Sequence, residues 1–181
     1  MRIRDLMAFL LAAAGLLGVD SAIAQNSLPI PQYDAARDVP GAHVVPNPTT
    51  EYKVVFDIRA GAENVDDVNP MLEGVAEYVN TLAKYGVPQE NRKIAVVLHR
   101  GSTPIIMNDA AFRARNDGHA NPNITLIKAL DAAGVKFHVC GQAVLGRKID
   151  PKDILPEIQL DLWALTTLID LGMQGYVRVG G

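Results

Sequence analysis

Cys140 is the residue in this chain with the clearest potential for covalent chemistry. It is the only cysteine, and it stands where an apolar run, VKFHV, meets Gly141 at the start of a predicted helical turn. A helix N-terminus or a nearby cation stabilises a thiolate and makes such a cysteine a better nucleophile. A free cysteine is also commonly a buried packing residue, so both roles stay open. A single cysteine excludes an intrachain disulfide and a dithiol oxidoreductase of the Cys-x-x-Cys type.

Two histidines lie close to this cysteine in the predicted order of strands. His99 ends the preceding predicted strand, and if the two strands are neighbours it can act as a proton partner for Cys140. His138 lies two residues before Cys140, so strand alternation puts both side chains on one face. Either histidine is also compatible with a plain polar role at a strand end. Both histidines, Cys140 and Met107 belong to residue types that bind copper. No spacing in the sequence fixes their geometry, and we therefore expect no resident metal.

Charge and the absence of several motifs limit the possible ligands. The chain has 17 Lys and Arg against 20 Asp and Glu, which gives no electrostatic reason to bind nucleic acid. It contains no GxGxxG or GxxxxGKS/T loop for phosphates and no GxSxG elbow of a serine hydrolase. We therefore expect no cofactor. Arg100, Arg113 and Arg115 could form a small anion site, although a solvated helix face explains them more simply.

The order of apolar patterns predicts the elements that position these residues. From Glu51 onward, short β-branched or apolar runs alternate with stretches of helical periodicity. Such an order predicts right-handed βαβ units and a mainly parallel five-stranded sheet between helices, an α/β fold of three α/β/α layers. Asn69-Pro70 and Asn121-Pro122 are typical of a helix N-cap followed by proline. The predicted strands are residues 52–58, 93–98, 135–139, 157–160 and 176–179, and helices are predicted after 69, near 108–115, after 121, after 141 and over 163–171.

The carboxyl ends of these strands define where a site is expected. In open parallel sheets, ligands bind beyond the carboxyl ends of the strands. In this chain those ends carry Arg59-Ala60-Gly61, His99-Arg100-Gly101-Ser102 and Cys140-Gly141-Gln142. The predicted site therefore contains both Cys140 and His99.

The first 24 residues have the layout of a secretory signal peptide. Arg2 and Arg4 precede an apolar stretch over 6–19, and Ala22-Ile23-Ala24 supplies a small-x-small cleavage site. That stretch is shorter than the roughly 18 residues of a membrane-spanning helix. We therefore expect cleavage before Gln25 and a periplasmic or secreted mature protein, with no membrane attachment after cleavage.

Residues 25–50 form a second predicted segment. Its prolines and its lack of sustained periodicity predict extended backbone. The segment is either a linker or an arm that packs on the domain or on a neighbouring subunit. Residues 51–181 then constitute the α/β domain.

Three parts of the sequence together resemble the DsrE/DsrF-like family. They are KIAVVLHRGSTPIIMNDAAFRAR, NPNITLIKALDAAGVKFHVCGQAV and the closing LTTLIDLGMQGYVRV, while NPMLEGVAEYVNTLAKYGVP resembles the first helix of exported members. The resemblance implies a flavodoxin-like variant of the α/β/α fold and a homotrimer or homohexamer. It also implies that the position of Cys140 can carry sulfur as a persulfide. Exported members resemble this chain except that glycine follows the histidine, where this chain has Arg100.

Two functions follow as expectations. The first is an exported sulfur carrier, or sulfurtransferase-like protein, in which Cys140 holds sulfane sulfur and His99 assists, with donor and acceptor proteins as partners. The second is a non-enzymatic oligomeric module that binds a small molecule or a metal, with Cys140 in a structural role. The resemblance favours the first.

Overall fold

One five-stranded sheet organises the part of the chain that the computed structural model describes, residues 28–181. The predicted signal peptide lies outside these residues. The strand order is β4-β3-β2-β1-β5, and every neighbouring pair is parallel. The predicted α/β fold with a mainly parallel sheet is thus confirmed. The strands are β1 (Tyr52–Ile58), β2 (Arg92–Leu98), β3 (Lys136–Cys140), β4 (Ile158–Asp161) and β5 (Val177–Gly180).

Five α-helices connect or flank these strands at the positions predicted from periodicity. Asn69 caps α1, since its side chain accepts a hydrogen bond from the Met71 N–H at 3.0 Å. The N-cap of α3 is Asn123 rather than the predicted Asn121. The Asn121 oxygen accepts a hydrogen bond from the Asn123 N–H at 3.1 Å, and its NH2 group donates to the Ile105 and Met107 carbonyls. The helices are α1 (Pro70–Lys84), α2 (Asp109–Arg115), α3 (Ile124–Ala132), α4 (Gly141–Gly146) and α5 (Ala164–Met173), with 3-10 turns at Gln89–Asn91, Arg100–Ile106 and Pro151–Asp153.

The two faces of the sheet are covered differently, and we call them the first and second sides. On the first side, α1 and α3 pack on alternate strand residues such as Phe56, Val96 and Val139 in one large apolar core. On the second side, α5 packs on the intervening residues in a smaller cluster that includes Val97 and Cys140. The three layers are therefore α1 and α3, the sheet, and α5.

The proline-rich segment contains no helix or strand from residue 28 to residue 50 and lies along α1. Ile30 is fully buried, and its backbone is hydrogen-bonded in both directions by the Asn80 side chain. Farther along, Asp38 pairs with Lys84 and accepts a hydrogen bond from the Tyr85 hydroxyl. Within residues 28–181 no helix is both long and apolar enough to cross a membrane.

Candidate functional site

Cys140 is the last residue of β3 and directly precedes α4. Its side chain is 4% exposed and packs against the apolar cluster between the sheet and α5. It nevertheless borders a cavity of about 510 Å³ at the carboxyl edge of the sheet. The predicted partner His99 borders the same cavity, so the structure brings these two residues together at one site.

The polar part of this cavity is strongly cationic. Among residues 28–181, its ionisable lining comprises Cys140, His99 and four arginines, with no aspartate, glutamate or lysine. Trp163, Leu165 and Leu168 form an apolar wall on the α5 side. The arginines are Arg59, Arg100, Arg147 and Arg178, which follow or belong to four different structural elements.

A buried carboxylate in β1 holds two of these cationic groups. The Asp57 side chain is 0% exposed, and its Oδ1 lies 2.6 Å from Nε2 of His99. Its other oxygen, Oδ2, pairs with the Arg178 guanidinium of β5. A carboxylate is buried only when it is paired, and Asp57 therefore fixes the position of both partners beneath the cavity.

Sequence reasoning missed Asp57 and Arg178. The available signal was an aspartate inside the apolar run YKVVFDI, where a charged residue requires a partner. The partner could not be named, because Arg178 is distant in sequence and comes beside Asp57 only through the pairing of β1 with β5.

Close backbone packing fixes the loops that follow β1 and β2. The Ser102 hydroxyl donates to the Ile58 carbonyl at 2.6 Å, and the His99 N–H donates to the same carbonyl at 3.2 Å. A Cβ on Gly61 would lie 3.0 Å from the Gly101 carbonyl oxygen, so these loops touch through their backbones. Arg100 has a φ of +56°, a left-handed backbone conformation that residues other than glycine rarely adopt.

A similar close approach fixes the turn that follows Cys140. A Cβ on Gly141 would lie 2.6 Å from the backbone oxygen of Asp161, closer than real contacts allow. Glycine therefore lets the start of α4 rest against the end of β4. This contact between backbones fixes the residue that directly follows Cys140.

His138 belongs to a different polar group. Its Nδ1 lies 2.9 Å from Oδ2 of Asp161, which also accepts a hydrogen bond from the Thr167 hydroxyl at 2.7 Å. His138 does not line the cavity of Cys140. Met107 is buried in the core on the first side of the sheet. The four possible copper ligands are therefore not assembled, and no group of three or more His, Cys, Asp or Glu in residues 28–181 could hold a metal ion.

Arg113 and Arg115 do not form an anion site with Arg100, and their exposure agrees with the simpler interpretation, a solvated helix face. Arg113 pairs with Asp109 at 2.6 Å, and Arg115 donates to the backbone carbonyls of Arg147 and Lys148. Neither side chain lines the cavity that Arg100 borders. Arg100 is instead grouped with arginines from the carboxyl end of β1, from the end of α4 and from β5.

This arrangement suits chemistry that places negative charge on sulfur. A thiolate forms more readily beside cations. At Cys140, a thiolate or a persulfide anion would face an imidazole and guanidinium groups across the cavity. The site therefore has the groups that a sulfur nucleophile requires, namely a thiol, a possible proton partner and positive charge.

Comparisons with known proteins agree with the fold. The structure is similar to the solved structure of a protein of unknown function, MTH1491, from Methanobacterium thermoautotrophicum, with a TM-score of 0.50 and 17% sequence identity. That similarity covers 71% of this chain and 97% of the other. Comparison with curated proteins finds no significant match. Residues 53–178, well over half of the chain, match the DsrE/DsrF-like family. The chain is therefore a member of the DsrE/DsrF-like family.

Proposed function

We propose that this protein is an exported sulfur carrier, sulfurtransferase-like in its chemistry, that holds sulfane sulfur as a persulfide on Cys140. Membership of the DsrE/DsrF-like family supports a role related to sulfur relay. The observation that carries the proposal is the position of the sole cysteine, at a cavity lined by His99 and four arginines.

The proposed reaction has two nucleophilic steps. The Cys140 thiolate attacks the sulfane sulfur of a donor, and the donor's remaining part leaves with the electron pair of the broken bond. An acceptor thiolate then attacks the outer sulfur of the persulfide and releases the Cys140 thiolate. In this scheme His99, whose Nε2 is held by Asp57, takes the thiol proton at Nδ1 before the first step, and the guanidiniums that line the cavity stabilise the anionic sulfur in both states.

Intact-mass measurement tests the first step directly. Incubation with polysulfide is expected to add about 32 Da per sulfur, reversibly with reductant, because a persulfide forms by exchange on the thiol. Cys140→Ser should show no gain. Equal loading of this variant would rule out Cys140 as the carrier.

His99 and His138 allow a matched pair of variants that tests the role of His99. His99→Gln should slow loading by at least about tenfold, since a positioned proton partner contributes on the order of 10²–10⁴ in rate. His138→Gln removes a histidine that also pairs with an aspartate but lies outside the cavity, and its loading rate should stay unchanged. Equal rates in both variants would remove His99 from the mechanism.

A second candidate function is a binding module in which Cys140 only packs. The 4% exposure of Cys140 and its contacts with the apolar cluster favour this alternative. The two functions differ in the reactivity of the folded protein toward a small alkylating reagent such as iodoacetamide. A thiol that is modified only after unfolding, together with no persulfide loading, would establish the packing role.

We propose that the working form is a homo-oligomer, a trimer or a hexamer. Leu165, Ile169 and Met173 are exposed at successive turns of α5, next to the exposed Trp163. A contiguous apolar surface of this kind usually marks an interaction site. Light scattering should give a trimeric or hexameric mass that falls when Ile169 is replaced by aspartate, and a monomeric wild-type protein would overturn the assignment.

The proposal of export depends on the N-terminal sequence. The secreted or periplasmic protein should begin at Gln25, as determined by N-terminal sequencing of material recovered from outside the cytoplasm. An intact Met1 terminus on the recovered protein would contradict cleavage. Acceptor proteins would then be sought in the same compartment.

A further inference from the structure

The charge of the cavity around Cys140 is not balanced by the residues that line it. Arg178 is paired with the buried Asp57. Arg59, Arg100 and Arg147 have no carboxylate partner among residues 28–181, although the chain as a whole carries a net charge of −3. Three guanidiniums gathered without counter-charges around one cavity form a binding site for an anion.

The type of cation narrows the class of anion. All the permanently charged groups at the cavity are arginines and none is lysine. A guanidinium presents paired donors that match two oxygens of one oxyanion, whereas an ammonium is a point charge. The preferred ligand therefore carries a group with several oxygens rather than a bare sulfide or a halide.

Three residues other than glycine have a positive φ in residues 28–181, Arg100, Asp117 and Lys148, and of these Arg100 alone lines the cavity. The φ of Arg100, +56°, lies in a region of backbone conformation that is unfavourable for residues other than glycine. Such strained residues persist where the surrounding structure holds them, and they cluster at functional sites. Here the strained residue directly follows His99 and places a guanidinium at the cavity.

We infer that the sulfur donor is a small anion in which a sulfane sulfur is bonded to an oxidised sulfur, the chemistry shared by thiosulfate and organic thiosulfonates. The inference rests on the proposed function, because Cys140 must accept the sulfur. The arginines bind the oxygens, and the outer sulfur lies toward the thiol. Trp163 and Leu165, which form the apolar part of the lining, would contact the organic group of a thiosulfonate.

The transfer balances without an oxidant or a reductant. The Cys140 thiolate forms a new S–S bond to the outer sulfur of thiosulfate. The original S–S bond breaks, and its electron pair leaves with sulfite. One thiolate and one dianion thus give one persulfide anion and one dianion. The guanidiniums that bound the donor stabilise the departing sulfite.

The experiment compares reaction of the purified protein with four reagents, measured by intact mass over time. Thiosulfate and benzenethiosulfonate are the two anionic donors that test the inference. Diallyl trisulfide is an uncharged reagent, and attack of the Cys140 thiolate on its terminal sulfur adds an allylthio group of about 72 Da and releases allyl persulfide. Polysulfide tests the proposed function alone. Faster loading by benzenethiosulfonate would identify the organic class, and faster loading by thiosulfate the inorganic one.

The arginines are tested by Arg59→Gln and Arg147→Gln, with Arg37→Gln as the matched control. Arg37 is exposed in the N-terminal segment and does not line the cavity, so its replacement changes the net charge equally. Each cavity variant should lower loading by the anionic donors about tenfold, the loss typical of one charge-assisted hydrogen bond. Reaction with diallyl trisulfide should slow less than loading by the anionic donors in both cavity variants, because a guanidinium stabilises the thiolate toward every reagent but binds only an anionic donor. Arg37→Gln should change neither rate.

The outcomes separate the two proposals. Loading by polysulfide but not by thiosulfate or benzenethiosulfonate, or equal loading in all arginine variants, would overturn the donor class and leave the carrier function standing. No loading by any donor would overturn the carrier function itself. Calorimetric titration of Cys140→Ser with thiosulfate adds a measurement that needs no reaction, and absence of binding there would also overturn the donor class.

Discussion

The two sides of the sheet are built from the same strands but differ in what they contain. On the first side the strand residues are apolar, and α1 and α3 cover them in a large core. On the second side α5 covers a smaller apolar cluster. The same side carries Asp57 in β1 and both His138 and Cys140 in β3. Alternate residues of one strand therefore serve packing and chemistry separately.

The difference shows how a site forms without weakening the core. Near the carboxyl edge of the second side lies the cavity in which polar and charged groups meet. Because the first side buries most of the apolar surface, the second side can hold a buried carboxylate and a thiol. If this division is correct, substitutions on the first side should change stability alone, and substitutions of second-side residues that line the cavity or hold its lining in place should also change sulfur loading.

The largest effect is expected from Leu72→Ala on the first side. Leu72 is 0% exposed in α1, and its truncation should lower the free energy of unfolding by about 3 kcal/mol, as expected for a buried leucine. Loading of the protein that remains folded should keep its rate. Leu145→Ala truncates an exposed leucine of α4 and should cost less than about 0.5 kcal/mol. Guanidinium denaturation and intact mass measure the two quantities, and slower loading in folded Leu72→Ala would break the division between the sides.

Asp57→Asn should lower both the free energy of unfolding and the rate of sulfur loading. Asparagine keeps the size of the side chain but removes the charge that pairs with Arg178 and His99. We expect the free energy of unfolding to fall by about 2 kcal/mol. This loss is smaller than that for a fully buried ion pair, because Arg178 is half exposed.

The same substitution should slow loading, since His99 is no longer held. Asp57 acts through His99 and is a positioning residue, so adding His99→Gln to Asp57→Asn should slow loading no further. Additive losses in the double variant would mean that Asp57 does not act through His99.

The first side could be predicted well from the sequence. Its helices and strands follow from local periodicity, and all five strands lie within two residues of the predicted bounds. The apolar runs of β1 and β2 are sufficient for this prediction, because a sheet that is covered on both faces needs side chains that are apolar or paired on both faces. The sequence predicts neither helix nor strand between residues 98 and 108, whereas the structure has a 3-10 turn over Arg100–Ile106, which no periodicity indicates.

The second side could be predicted only in part. Cys140 and His99 follow from the rule that sites form at carboxyl ends of strands. Arg147 and Arg178 do not, since they reach the cavity from the end of α4 and from the edge strand β5. Their grouping depends on strand order, and strand order is a property of the whole chain rather than of any local pattern.

A smaller effect is expected from Gly141→Ala. The added Cβ would press on the backbone oxygen of Asp161, and relief of that contact must shift the start of α4. We expect a loss of about 1–2 kcal/mol, similar to overpacking in a core, and a changed loading rate because Cys140 is adjacent. Gly146→Ala is the control, since nothing lies within 4 Å of its added Cβ. Equal stability of the two variants would show that the contact between α4 and β4 yields easily.

The smallest effect concerns the segment that covers the outer surface of α1. The pKa of Asp38 is held below its ordinary value, mainly because Asp38 accepts a hydrogen bond from Lys84. A second hydrogen bond, from Tyr85, lowers the pKa of Asp38 further. A carboxyl whose pKa is lowered by folding adds stability above its unfolded pKa of about 3.9, and that stability is lost as the pH falls through the lower folded value. Asp38→Asn should therefore be slightly less stable than the wild type at pH 6, and the difference should vanish as the pH is lowered below the folded pKa. Denaturation curves at several pH values measure this difference. A constant difference would show that the pairing of Asp38 does not depend on its charge. Because the segment packs on the first side, loading of Cys140 at pH 6 should be the same in both proteins.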